Sequence, residues 1–272
     1  FWRGNMKRLF ILGNGFDLAH GLPTKYLDYR NFLKSGAENN EFCMNMEGTY
    51  GLEASTDYWW KDFETNLGKG DIFEADFETM AETTIKEMKT DDGEEMYDVE
   101  ETLGYYFEPY YKFMNKLNKT VLQWAESIDI SNVKPLYKRI IEKDNYYMTF
   151  NYTAILEDVY NIPSRKIFHI QGIYRFYMAS FKDTERIIEM NEFTFNKYNG
   201  VTEIHVFGHS LGEVDIPYFL EIKKRVLKTA NWFFYIFCDI KEFSEKKNEL
   251  YKKIECLGIG RKHIHVLQTD KF

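Results

Sequence analysis

Six short apolar runs constrain this chain more than any other feature. They cover residues 7–12, 145–151, 166–170, 203–208, 232–237 and 263–267, and each is rich in β-branched or aromatic residues. Runs of this length are too short for helices and read as strands buried on both faces. Helical patterns separate several of them, which predicts βα units and a mainly parallel sheet.

The 272 residues suffice for one large α/β domain, or for such a domain carrying an insertion. Between the first and second run lies a long stretch with no convincing strand. Residues 55–66, 71–88 and 99–127 have helical patterns, and Thr90-Asp91-Asp92-Gly93-Glu94-Glu95 reads as an exposed acidic loop between two of them. The expected organisation is a single α/β domain over residues 6–272 with a helical insertion at 55–128, serving as a lid or an interface. Phe1 to Asn5 precede Met6 and read as an upstream extension rather than part of the fold.

Hydrophobic residues make up 44% of the chain and aromatic residues 18%, enough for a sizeable core. Most of the rings are expected to be core. The formal charge of −8 disfavours counterion-release binding to a phosphate backbone, so general nucleic-acid binding is not expected. The three cysteines, Cys43, Cys238 and Cys256, are widely separated and suggest neither a disulfide framework nor, with the histidines, zinc spacing. No metal is expected. With no signal peptide and no long apolar run, the sequence points to a cytoplasmic protein that does not enter a membrane.

The first run breaks directly into Gly13-Asn14-Gly15-Phe16-Asp17. Glycines let backbone approach a ligand closely, and a helix starting there would favour an anion. The spacing lacks the third glycine of the dinucleotide fingerprint, and a plain strand-to-helix turn explains it equally well.

Ligands in open α/β sheets sit outside the carboxyl ends of strands, so the polar residues there matter most. The first run delivers Gly13, Asn14, Gly15 and Asp17, with His20 close behind. The second delivers Asn151, Tyr152 and Thr153, and the third His169, Gln171 and Gly172. The fourth delivers Gly208-His209-Ser210-Leu211-Gly212 and then Asp215. Singly, Asn151, Thr153 or Asp215 could be helix caps worth about 1 kcal/mol, and His169 a core histidine. Several polar strand tips together exceed what capping requires.

Gly208-His209-Ser210-Leu211-Gly212 also matches the Gly-x-Ser-x-Gly nucleophile elbow, with Asp239 and then His263 and His265 downstream in the Ser…Asp…His order. Against serine hydrolysis stand the missing His-Gly-Gly-Gly segment, only two runs after the serine, and large residues after Gly212.

With these residues assembled, the chain resembles the AbiH family of bacterial abortive-infection proteins. The resemblance rests on Leu12-Gly13-Asn14-Gly15-Phe16-Asp17-Leu18-Ala19-His20-Gly21-Leu22-Pro23-Thr24-Lys25-Tyr26, on Trp60-Lys61-Asp62-Phe63-Glu64, on Phe150-Asn151-Tyr152-Thr153, on His169-Ile170-Gln171-Gly172 and on Phe207-Gly208-His209-Ser210-Leu211-Gly212-Glu213-Val214-Asp215. It implies a cytoplasmic phage-defence protein with a phage-derived trigger and a capacity to self-associate.

More distantly, these motifs are similar to those of sirtuin-like proteins. That likeness implies a Rossmann-like, mainly parallel sheet that binds NAD or a related nucleotide and, in defence members, hydrolyses NAD. Carried over, Gly13, Asn14, Gly15 and Phe16 would hold the pyrophosphate and Asn151 would position the ribose or the attacking water. Gly208, His209, Ser210 and Asp215 would face the adenosine side; Asp17, Tyr152 and Thr153 complete the expected nucleotide-binding set, with Asp17 or Glu64 a candidate to stabilise developing positive charge. The position before Gly172 would contact the nicotinamide ribose. There the chain carries Gln171 where both groups imply histidine, and glutamine takes no proton near neutral pH. His169, two residues away on the same strand face, is the substitute candidate. The path from Gly172 to Arg175 is also shorter than the family implies. The expectation is therefore a nucleotide-binding α/β protein, either an NAD hydrolase or a sensor that binds without cleaving.

Overall fold

The computed structural model of the chain describes residues 7–52, 56–61, 63–67, 86, 99–170 and 187–269. Strands β1 (Arg8–Leu12), β2 (Tyr146–Thr149), β3 (Ile167–His169), β4 (Glu203–Phe207), β5 (Asn231–Phe237) and β6 (Ile264–Thr269) form one sheet. Their order is β3-β2-β1-β4-β5-β6, and every adjacent pair is parallel. All six expected runs are strands, differing only at their ends.

Helices α1 (Asn14–Ala19), α2 (Tyr26–Ser35), α3 (Ala37–Thr49), α4 (Thr56–Lys61), α5 (Phe63–Leu67) and α6 (Val99–Ser127) follow β1. Helix α7 (Ile155–Asp158) links β2 to β3, and α8 (Glu192–Asn196) precedes β4. Helix α9 (Ile216–Arg225) links β4 to β5, and α10 (Phe243–Glu255) links β5 to β6. Among the described residues no helix is long and apolar enough to cross a membrane.

The chain divides into two compact units, Tyr29–Gln123 and the remainder, which carries the sheet. In the sheet unit, β1 is central, and Leu9, Phe10, Ile11 and Leu12 are fully buried. Burying each such side chain contributes about 1.5–3 kcal/mol, which is why an unbroken apolar run takes this place. On one face, Leu9 and Ile11 join Met148, Ile204, Val206 and Phe234 in a core closed by Phe219 and Ile222 of α9 and Ile254 of α10.

The other face carries a ladder of rings. Tyr147, Phe10, His205, Phe233 and His265 lie opposite one another in register across five strands. Their centroids are 5.5, 4.7, 4.8 and 4.7 Å apart, with neighbouring planes within 22°. Part of the aromatic excess thus lies in the sheet. Between two phenyl rings, burial pulls His205 down to about 4, so it is a neutral ring at ordinary pH.

In the unit Tyr29–Gln123, Trp60 stacks on Phe63 at 4.9 Å, and both are fully buried. Glu47 accepts hydrogen bonds from Trp60 Nε1 at 3.0 Å and Arg30 Nε at 2.6 Å. Helices α2 and α3 lie ahead of residue 55, where the sequence predicted none. The sequence-predicted helix at 99–127 is α6. The helix expected at 71–88 (apart from residue 86) and the loop at 90–95 lie outside the described residues, as do Asp62 and the side chain of Glu64.

Candidate functional site

The winding of the sheet reverses between β1 and β4, so the loops leaving these two strands flank the position where open α/β sheets hold ligands. The two loops are bonded to each other. Gly13 N–H donates to Phe207 O and Gly15 N–H to Gly208 O, each at 2.9 Å. A Cβ on Gly15 would lie 2.6 Å from Gly208 Cα, and Gly208 has φ +59°. A Cβ on Gly13 would fall 2.6 Å from Gly208 O. The glycines are explained by this backbone contact. Their N–H groups are engaged between the two loops.

Asn14 is similarly committed. Its Nδ2 donates to Thr24 O at 2.8 Å, and its Oδ1 accepts from Thr24 Oγ1 at 2.5 Å, so the amide pins the loop that returns from α1. Phe16 is fully buried against His20, Tyr137 and Tyr160. His20 lies 2.7 Å from Phe16 O and 2.8 Å from Tyr160 Oη, and burial lowers its pKa.

Asp17, Asn151 and Thr153 form a buried polar cluster at the tips of β1 and β2. Asn151 Nδ2 donates to Asp17 Oδ1, and Thr153 Oγ1 donates to Asp17 Oδ2, both at 2.7 Å. Burial pushes the Asp17 carboxyl up to about 7, with the two hydrogen bonds opposing. Asn151 Oδ1 is buried with no partner. Such an orphan acceptor costs about 1–3 kcal/mol unless something donates to it. The sequence named all three residues but not their partnership.

On the other side of α1, a cleft of about 510 Å³ opens at the carboxyl ends of β4 and β5. Gly15, Gly208, His209 and Ser210 line it, together with Lys25 and with Lys246 and Lys253 of α10. Lys253 Nζ donates to Ser210 O at 2.9 Å. The sequence reading missed these lysines. The signal available was the spacing Lys246, Glu249, Leu250, Lys253, which puts all four on one helix face.

The other candidates fall elsewhere. His169 Nε2 lies 2.7 Å from Glu157 Oε1 of α7, an ion pair when the imidazole is protonated. His209 Nδ1 accepts the Leu211 N–H at 2.9 Å, and its Nε2 faces Asp215 Oδ2 at 3.6 Å. Tyr152 lies with its ring 5.9 Å from Trp124 and its hydroxyl 3.5 Å from that of Tyr26. Gln171 and Gly172 lie outside the described residues.

The serine-hydrolase constellation does not assemble. Ser210 follows the carboxyl end of β4, whereas His263 and His265 sit at the amino end of β6, and all strands are parallel. His265 stacks on Phe233 and reaches Asn231 at 3.3 Å, at the opposite edge of the sheet. The strained residue of the loop is Leu211, at φ +53°, and not the serine an elbow requires.

Strand order, parallel pairing and polar tips at the reversal define a Rossmann-like α/β protein with its candidate site at the switch point. A family model described as bacteriophage abortive infection AbiH matches residues 9–175 and 171–236. The chain belongs to this AbiH family. No curated protein matches it, and no solved structure does.

Proposed function

We propose that this abortive-infection family member acts by binding NAD or a related nucleotide at the switch point and hydrolysing NAD to nicotinamide and ADP-ribose. The observation that carries the reading is the pairing, across α1 at the switch point, of a cleft lined by Gly15, Gly208, His209 and Ser210 with the Asp17–Asn151–Thr153 cluster. Its volume falls in the range of about 300–1,000 Å³ that suits small-molecule ligands.

In the reaction, the bond from ribose C1′ to the nicotinamide nitrogen breaks, and its electron pair leaves with the ring. A water oxygen bonds C1′, and one proton is released. Asn151 Oδ1, a buried acceptor without a donor, suits a ribose hydroxyl or the attacking water. Asp17 holds that amide in place and, when ionised, opposes the positive charge of the oxocarbenium-like state.

The test is incubation of the purified protein with NAD, following nicotinamide and ADP-ribose by chromatography. Cleavage that Asn151→Ala abolishes supports hydrolysis. Gln171 favours a second reading, a nucleotide sensor, because its amide takes no proton at that position. If wild type and Gln171→His both leave NAD intact while NAD raises the melting temperature, the hydrolase reading falls and the sensor stands.

A further inference from the structure

We infer that the phosphates of the ligand are held by the side chains of Lys25, Lys246 and Lys253 and not by the glycine loop. The inference rests on the nucleotide-binding reading above for the ligand and on the cleft's own chemistry for the contacts. Two of the backbone donors that a glycine turn normally offers to phosphate are used up between the loops, Gly13 on Phe207 O and Gly15 on Gly208 O. Helix α1 has only six residues, too short to contribute a strong dipole. A diphosphate at this switch point must find its positive charge elsewhere.

The cleft supplies it. Lys246 and Lys253 lie two helical turns apart on the face of α10 that lines the cavity, and Lys25 lines it from the segment before α2. One carboxylate, Glu249, sits among them, which leaves a cationic excess in a chain whose formal charge is −8. Lys253 already reaches the β4 loop through its hydrogen bond to Ser210 O. Lys246 pairs with Glu242 at 2.7 Å, but both side chains are about half exposed, and such a pair exchanges readily for a phosphate. The remaining wall is apolar, with Leu18, Val206, Phe234, Ile236 and Leu250, and suits a planar base or nicotinamide ring. The predicted ligand is thus a phosphate-bearing molecule with an apolar planar end.

Calorimetric titration of the full chain with NAD, ADP, adenosine and inorganic pyrophosphate tests this. The expected result is binding of NAD and ADP, much weaker binding of adenosine, and loss of about tenfold in ADP affinity for each lysine replaced in K246Q/K253Q. Lys253→Arg should retain affinity, and added salt should weaken wild type more than the double variant. Unchanged ADP affinity in a folded K246Q/K253Q overturns the inference and leaves nucleotide binding standing. Lysine-dependent binding of pyrophosphate without NAD or ADP supports the lysine site and overturns the nucleotide reading. Adenosine binding as tightly as ADP, or no binding of any anionic probe, overturns the inference. Should the double variant unfold, Lys246→Gln alone carries the same comparison, since its partner Glu242 is a surface residue.

Discussion

Asp17 Oδ1 accepts a 2.7 Å hydrogen bond from Asn151 Nδ2, joining the tips of the first two strands across 134 positions of sequence. An ionised carboxylate only accepts, so it dictates which end of the Asn151 amide faces it. The NH₂ turns to Asp17, and the oxygen is left as the buried acceptor. The geometry of the candidate site therefore depends on a carboxylate that titrates near neutrality.

That titration has a sign. Asp17 rises from 3.8 to about 7 on folding, so the folded chain holds the proton more tightly than the unfolded one. Its contribution to stability is full at low pH, falls as pH rises from about 4 to about 7, and is flat above. Asp17→Asn should remove a few kcal/mol of this fall. Urea denaturation of both proteins at pH 4 to 8 checks it, and an identical pH slope in the variant would sink the assignment.

His205 works in the opposite direction across nearly the same window. Burial lowers it from 6.5 to about 4, so the unfolded chain binds the proton first and stability drops as pH falls through that interval. The two buried groups offset one another in wild type. His205→Phe should keep the ring ladder, lose about 1 kcal/mol with the Tyr235 hydroxyl contact, and expose the Asp17 slope. Melting curves at pH 4.5 and 7 separate the two contributions.

The zipped loops predict sharply different costs for chemically identical changes. Gly15→Ala would drive a methyl into Gly208 Cα at 2.6 Å and should destabilise by about 3 kcal/mol. Gly48→Ala, inside α3 with nothing within 4 Å, should stabilise by roughly 0.5–1 kcal/mol. Chemical denaturation midpoints decide between this and an ordinary flexible glycine turn.

Ser210 should be inert as a nucleophile. A fluorophosphonate probe should leave the folded protein unlabelled, because His263 and His265 stand at the far edge of the sheet. Stoichiometric labelling lost in Ser210→Ala would reverse that conclusion.

All six strands were legible in the sequence because continuous apolar runs have one comfortable home, a parallel sheet covered on both sides. Helix α6 was equally plain from its apolar spacing. What stayed hidden was partnership. The glycines at 13 and 15 suggested a phosphate, but their neighbour is Gly208, almost two hundred positions away, and no local pattern encodes that contact. The Ser…Asp…His order suggested a triad because linear order says nothing about which end of a strand a residue occupies. Asp17 stood among the candidate residues of the strand tips, but its bonds to Asn151 and Thr153 were not legible. Lys246 and Lys253 were overlooked because exposed lysines on an amphipathic helix are ordinarily solvated.

The strand order also shapes how the chain comes into being. Both neighbours of β1 in the sheet, β2 and β4, are synthesised long after it. Arg8 and Glu203, which face each other across β1 and β4, are 195 positions apart. At about 5–20 residues per second, the first strand waits roughly 10–40 s for the second of its partners. Until β2 is made, its apolar residues Leu9 to Leu12 have no neighbouring strand to pair with. The hazard for this protein is therefore greatest on nascent chains, where a holding chaperone has the most to protect.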